Sequence, residues 1–456
     1  MPSAPSTALL TDRYELTMLE ASLRSGAAHR RCVFEVFARR LSGGRRYGVV
    51  AGTGRFLDAL DQFRFGDAEL RWLSDNKVVD AATLAWLASY RFSGDISGYG
   101  EGEPFFPGSP ILTVESTFAE AVLLETLALS IFNHDCAIAA AASRMTSAAG
   151  DRPCLEMGSR RTHEESAVAA ARAAYLVGFT ATSNLEAGRR YGLPTTGTSA
   201  HAFTLIHDDE PAAFQAQIAA LGTATTLLVD TYDVATAVRT AVAVAGPSLG
   251  AVRIDSGDLG SLAHEVRAQL DQLGATETRI IVTSDLDEHA IASLASAPVD
   301  GYGVGTAVVT GSGVPTASLV YKLVARSEGS AADSDGPDAV WRAVTKASPG
   351  KIDHGGRKQA FRRHSPDGVA IAEVVFSGDR PLPQRGDRPL PQRGDRPLLV
   401  PLVRSGEIVG REPLDVARAR HVAARAALPA EALRLQPGGP ALDTIFVTLD
   451  GAAVSP

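Results

Sequence analysis

The stretch A-V-R-I-D-S-G-D-L-G at 251–260 sets a cation and two carboxylates within one short turn. Arg253 offers a planar fork suited to a carboxylate or a phosphate. Asp255, like Asp230 and Asp285 elsewhere in the chain, suits sugar hydroxyls, a bound Mg2+ or a developing positive charge. Burying such groups is costly unless they have a partner or a task. The competing reading is an internal ion pair between Arg253 and Asp255 or Asp258. Comparable residues recur along the chain: Arg160 and Arg161; Ser183 and Asn184; Thr198, Ser199 and His201; Asp230 and Tyr232; Ser284 and Asp285. His201 sits in P-T-T-G-T-S-A-H-A-F, where small neighbours let an imidazole approach a ligand as base or nucleophile. The run G-V-G-T-A-V-V-T-G-S-G at 303–313 brings Gly305 and Thr306 and resembles a turn whose backbone N–H groups cradle a phosphate. These types together describe a site for a phosphorylated sugar and a small anion. No P-loop, zinc spacing or hydrolase elbow occurs.

The elements that must carry these residues alternate from residue 153 onward. Short apolar runs predict strands at Cys154–Met157, Phe179–Thr182, Pro194–Gly197, Thr226–Val229, Ala251–Ile254, Arg279–Thr283 and Gly301–Val304. Helical patterns fill the gaps at about 164–177, 185–190, 209–221, 233–244, 259–273 and 287–296. The pattern is that of a βα barrel over 151–324. Every chemical group above falls just after a strand, and ligands bind at the carboxyl ends of barrel strands.

The flanking sequence reads differently. A helix opens near Thr11 or Asp12 with Tyr14 in its first turn. Strands at 32–37, 47–51 and 111–115, with helices at 53–63 and 67–90, predict an α+β domain over 1–115. The arginines 39, 40, 45 and 46 are expected to be solvated. Residues 116–150 read as connecting helices, where His134 has a structural role. Strands at 319–324, 339–345 and 369–376 predict that about 325–400 completes the N-terminal domain, which is then discontinuous and the smaller of the two. Residues 400–456 form a C-terminal segment. The tandem G-D-R-P-L-P-Q-R at 378–396 is too polar and proline-rich to pack, and is read as a mobile surface loop without function.

Composition excludes several classes. With 45% hydrophobic and 21% charged residues, the 456-residue chain is an ordinary globular protein. A net charge of -8 argues against nucleic acid as the partner. Three widely spaced cysteines predict reduced thiols in the cytoplasm. Neither a signal peptide nor a membrane span is evident.

Seven motifs in order resemble the nicotinate phosphoribosyltransferase family: T-D-R-Y-E-L-T-M (11–18), E-M-G-S-R-R-T-H (156–163), T-S-N (182–184), G-T-S-A-H-A-F (197–203), V-D-T-Y-D (229–233), V-R-I-D-S-G-D-L (252–259) and T-S-D-L-D-E (283–288). The resemblance runs from about 8 to 325 and continues more weakly through K-A-S-P-G-K. It implies a type II phosphoribosyltransferase fold, an irregular α/β barrel beside a smaller, discontinuous α+β domain. It also implies a ligase-class reaction of NAD salvage: nicotinate and 5-phosphoribosyl 1-pyrophosphate give nicotinate mononucleotide, with Mg2+ and with ATP hydrolysed through a phosphohistidine.

The resemblance assigns the phosphohistidine to His201. It sets Tyr14 and Arg253 against the pyridine ring or its product phosphate, and Thr198 near nicotinate. Arg160, Asp255 and Thr306 then line the phosphoribosyl site; Asp230, Asp285 and Gly305 join the substrate-binding set on their residue types and strand-end positions alone. It implies a cytoplasmic homodimer with shared sites, so that Tyr14 acts in trans. Ser183 stands near where nicotinamide-using relatives carry an acid, and a serine there favours the acid substrate. Met157 departs from an aromatic position, and the octapeptide repeat matches no family motif. The alternatives are a nicotinamide- or quinolinate-using phosphoribosyltransferase and a non-catalytic dimeric scaffold.

Overall fold

The computed structural model describes residues 5–328, 340–346, 353–377 and 394–448. The chain forms two units, one made of residues 138–315 and the other of residues 1–137 with 316–456.

The 138–315 unit is built on a six-stranded, wholly parallel sheet. Its order across the sheet is Ala181–Thr182, Cys154–Glu156, Gly301–Val304, Arg279–Val282, Ala251–Ile254 and Thr226–Leu228. The first and last strands in sequence are thus neighbours, as in a barrel, but the ring is open. The strand expected at 194–197 is reduced to a single bridge between Thr182 and Thr195. Val252, Ile254, Ile280, Val282, Tyr302 and Val304 are buried, so the sheet's apolar runs are covered as parallel strands require. Helices follow the strands at Glu164–Leu176, Leu185–Tyr191, Glu210–Leu221, Val234–Ala245, Leu259–Gln272 and Glu288–Ser293. Side-chain caps start most of them: Asn184 accepts from the Ala187 N–H at 2.8 Å, Asp209 from Ala212 at 2.8 Å and Asp233 from Thr236 at 2.9 Å. Each cap stops a strand-end turn at a fixed residue, which is what fixes the functional loops.

The other unit is α+β and holds more of the chain, so the expected size order is reversed. Its main sheet is seven-stranded, ordered Trp341–Ala343, Leu319–Ser327, Arg31–Ala38, Leu112–Thr117, Asp95–Tyr99, Leu399–Arg404 and Glu407–Ile408, with antiparallel neighbours. Leu319–Ser327 therefore belongs to this sheet, and the barrel unit stops at 315 rather than 324. A second, four-stranded sheet contains Lys358–His364 and Ala370–Ser377 and takes in Thr444–Thr448. The described residues of the C-terminal segment are thus part of this unit. The helix expected over 67–90 is two, Asp67–Asp75 and Ala81–Ala88. Lys77 takes a left-handed φ of 51°, and Asp80 caps the second helix through the Thr83 N–H at 2.8 Å.

Two arginines expected in solvent are not there. Arg39 makes a two-pronged bond to Asp353 at 2.9 and 2.7 Å, and Arg45 is buried with its guanidinium on the Ala137 carbonyl at 3.1 Å. His134 is structural, with Nδ1 at 2.8 Å from Asp135 Oδ1. Most of the octapeptide repeat lies outside the described residues. Its end is tied down: Asp395 accepts from Arg363 at 2.8 Å and Arg396 pairs with Glu103 at 2.6 Å. Cys32, Cys136 and Cys154 are free thiols, all buried. No helix among the described residues is long and apolar enough to cross a membrane.

Candidate active site

The parallel sheet ends in a cavity of about 460 Å3 at its carboxyl edge. Arg160, Ser183, Thr198 and Arg253 line it. So do Asp255, Asp285, Gly305 and Thr306, each from the turn that follows its strand. Met157 also faces the space, and its sulfur lies so close to Gly303 that a Cβ there would sit 2.8 Å from it.

Arg253 is held inward on the strand Ala251–Ile254. One guanidinium nitrogen donates to the Thr198 hydroxyl, while its Nε is buried without a hydrogen-bond partner among the described residues. Burial lowers the guanidinium below its ordinary range, and Asp255 and Asp230 oppose that shift. A desolvated cation with an unsatisfied N–H at a cavity wall is suited to meet an anion. The internal-pair reading fails for Asp258, whose carboxylate instead caps the helix Leu259–Gln272 through the Ser261 N–H and hydroxyl. Those two bonds hold its carboxyl below the usual range.

Asp230 and His201 form the next layer. The Asp230 side chain is 2% exposed. Its Oδ2 accepts the Asp255 N–H at 2.9 Å and the Ser256 hydroxyl at 2.7 Å, and its Oδ1 has no hydrogen-bond partner among the described residues. His201 opens the short helix His201–Leu205 with its ring 41% exposed. Its Nε2 lies 3.8 Å from Asp255 Oδ2 and 4.0 Å from Asp230 Oδ1, and its Nδ1 lies 3.1 Å from the Thr231 hydroxyl. Imidazole and carboxylates therefore share one rim. Asp255 is itself fixed by the Thr283 hydroxyl.

Tyr14 belongs to the other unit, on the helix Arg13–Ser25, and is 44% exposed. Its hydroxyl bonds Glu125, and burial together with that acid raises it above the usual phenol range. Sequence reasoning did not single out Thr231, Thr283, Ser256 or Glu156. Each lies inside or beside a quoted motif, but its importance depends on which strands are adjacent.

An open parallel half-barrel with this polar edge is the architecture of a phosphoribosyltransferase. The crystal structure of nicotinate-nucleotide pyrophosphorylase from Pyrococcus furiosus shares the fold, with a TM-score of 0.73 at 23% identity over 96% of this chain and 99% of that one. The crystal structure of human nicotinic acid phosphoribosyltransferase superposes with a TM-score of 0.79 at 27% identity, covering 96% of this chain and 97% of that one. In sequence, residues 9–133 match the nicotinate phosphoribosyltransferase (NAPRTase) N-terminal domain. Nicotinate phosphoribosyltransferase pncB1 of Mycobacterium tuberculosis is 56% identical over 96% of this chain and 94% of its own. The Bacillus subtilis nicotinate phosphoribosyltransferase is 37% identical over 80% of this chain and 76% of its own. The chain belongs to the nicotinate phosphoribosyltransferase family and is an enzyme of NAD salvage.

Proposed function

We propose that the cavity joins nicotinate to 5-phosphoribosyl 1-pyrophosphate, and that ATP drives the reaction through phosphorylation of His201. The observation that carries the ATP step is the rim where the His201 ring faces Asp255 and an Asp230 oxygen that accepts no hydrogen bond among the described residues. A His201 ring nitrogen attacks the γ-phosphorus of ATP, the bond to ADP breaks, and ADP leaves. Water later takes the phosphoryl group from His201. In the synthetic step the pyridine nitrogen attacks the ribose anomeric carbon as the bond to pyrophosphate breaks.

Arg253 and Arg160 bind the anionic groups. Gly305 and Thr306 receive the sugar phosphate, and Asp255 and Asp285 face the ribose as positive charge develops on it. Ser183 brings no charge against the nicotinate carboxylate, where an acid would repel it. Tyr14 acts on the pyridine ring of the neighbouring subunit in a cytoplasmic homodimer. Mg2+, when bound with pyrophosphate, would supply the charge that offsets the leaving group. Among the described residues no cluster of three or more metal-binding side chains occurs. Asp255, which lines the cavity, would hold such an ion together with substrate oxygens.

The test is nicotinate mononucleotide formation with and without ATP, in the wild type and in His201→Ala, with nicotinamide as competing base. ATP stimulation with matching ADP release should occur only in the wild type. Full ATP coupling in His201→Ala would remove the histidine assignment, and product from nicotinamide alone would remove the reading of Ser183.

A further inference from the structure

Glu156 ends the strand Cys154–Glu156 and is 1% exposed. No cation pairs with it among the described residues, and burial raises its carboxyl above the usual range. An acid in such a place is costly unless its oxygens are fully used. They are, and in two directions. Oε1 accepts the Gly158 N–H at 2.5 Å. The Gly158 carbonyl in turn accepts the Arg161 N–H at 2.8 Å, which closes the turn bearing Arg160. Oε2 accepts the Thr182 hydroxyl at 2.5 Å. Thr182 Oγ1 accepts the Asn184 N–H at 2.9 Å, and the Glu156 carbonyl accepts the Ser183 N–H at 2.8 Å. Asn184 closes the circuit by donating to the Ser159 hydroxyl at 3.1 Å.

We propose that Glu156 is a positioning residue that builds two subsites at a fixed spacing, the Arg160 turn through one oxygen and the Ser183 turn through the other. The proposal rests on the reading that Arg160 serves the phosphoribosyl group and Ser183 the pyridine. A carboxylate suits both sides. The Gly158 N–H needs an acceptor, and the buried Thr182 hydroxyl, which accepts from Asn184, donates its hydrogen to the other oxygen. A glutamine would turn its NH2 toward one of these two groups.

The division of labour gives a test that a merely structural role would not pass. Michaelis constants for both substrates are measured in the wild type, Glu156→Ala, Thr182→Val and Thr182→Ser, with thermal midpoints recorded alongside. Glu156→Ala should raise both constants about tenfold or more while saturated turnover falls by no more than about threefold, the pattern of lost binding rather than lost chemistry. Thr182→Val cuts only the Oε2 branch, so it should raise the constant for nicotinate about tenfold and leave that for phosphoribosyl pyrophosphate near wild type. Thr182→Ser restores the hydroxyl and should behave as wild type. Equal rises of both constants in Thr182→Val, or wild-type constants in Glu156→Ala, would overturn the proposal. If Glu156→Ala does not fold, the two Thr182 variants decide alone. A wild type that fails to turn over nicotinate would instead overturn the assignment of the subsites themselves.

Discussion

Asp230 grips the Asp255 backbone N–H at 2.9 Å through Oδ2, and its Oδ1, which accepts no hydrogen bond among the described residues, lies 4.0 Å from His201 Nε2. One oxygen shapes the 255–256 turn, and the other offers its charge to the imidazole. Asp230→Asn keeps an acceptor for the turn and removes the charge. ATP-stimulated turnover should drop about 100-fold, the size of a lost acid-base partner, with ATP-independent turnover nearly unchanged. Initial rates with and without ATP check this. Equal losses in both would mean that Asp230 acts only through the turn.

Ser284 lines the cavity with φ at 130°, a conformation that residues other than glycine rarely adopt. The strain is held by its neighbours, since the adjacent Thr283 is buried and bonded to Asp255. Ser284→Gly should stabilise the fold by about 1 kcal/mol, the low end for a strained backbone residue. A higher urea midpoint with unchanged Michaelis constants is the expected result. A lower midpoint would mean that the serine hydroxyl contributes more than the strain costs.

The sequence made the barrel readable because its strands are short apolar runs closed by polar caps. Ala251–Ile254 and Gly301–Val304 fall where the pattern sets them. The positions of the edge residues were readable for the same reason, since the polar residues that line the cavity sit just past each run. What could not be read is which strand ends meet. Glu156 touches Thr182 because Cys154–Glu156 lies beside Ala181–Thr182, and no local pattern states that order. Asp258 looked like a site acid and is a helix cap, because cap and ligand use the same residue types. The Arg39–Asp353 pair joins residues far apart in sequence, and so Arg39 resembled an ordinary surface arginine.

Gly158 has no room for a side chain. A Cβ there would lie 2.2 Å from Val309 Cγ1 and 2.9 Å from the Gly305 carbonyl. Gly158→Ala must push the Arg160 turn away from the Gly305–Thr306 turn. Overpacking of this kind costs about 1–3 kcal/mol. The variant should melt lower and bind phosphoribosyl pyrophosphate more weakly, which calorimetry on the folded protein would measure. The double variant Gly158→Ala with Val309→Ala removes only the nearer clash. It should recover part of the stability, and no recovery would place the strain at the Gly305 carbonyl.

His421 sets an acid limit on the discontinuous unit. It is fully buried on the helix Leu414–Ala426, with Nδ1 at 3.0 Å from the Gly102 carbonyl, so Nδ1–H donates there. Burial pushes its titration down to about 4, against the opposing pull of the Gly102 carbonyl, and Arg425 and Arg418 lower it further. An unfolded histidine titrates near 6.5. Above that value both states are neutral, and the contribution of His421 to stability is complete. Between 6.5 and about 4 the unfolded chain gains a proton that the folded chain refuses, so stability falls as pH falls. The loss approaches about 3 kcal/mol by pH 4, at about 1.4 kcal/mol for each pH unit. His421→Gln can still donate to the Gly102 carbonyl and does not titrate. Urea midpoints at pH 7.5 and 4.5 should therefore converge in the variant and stay apart in the wild type. Parallel losses in both proteins would assign the acid sensitivity to the carboxylates instead.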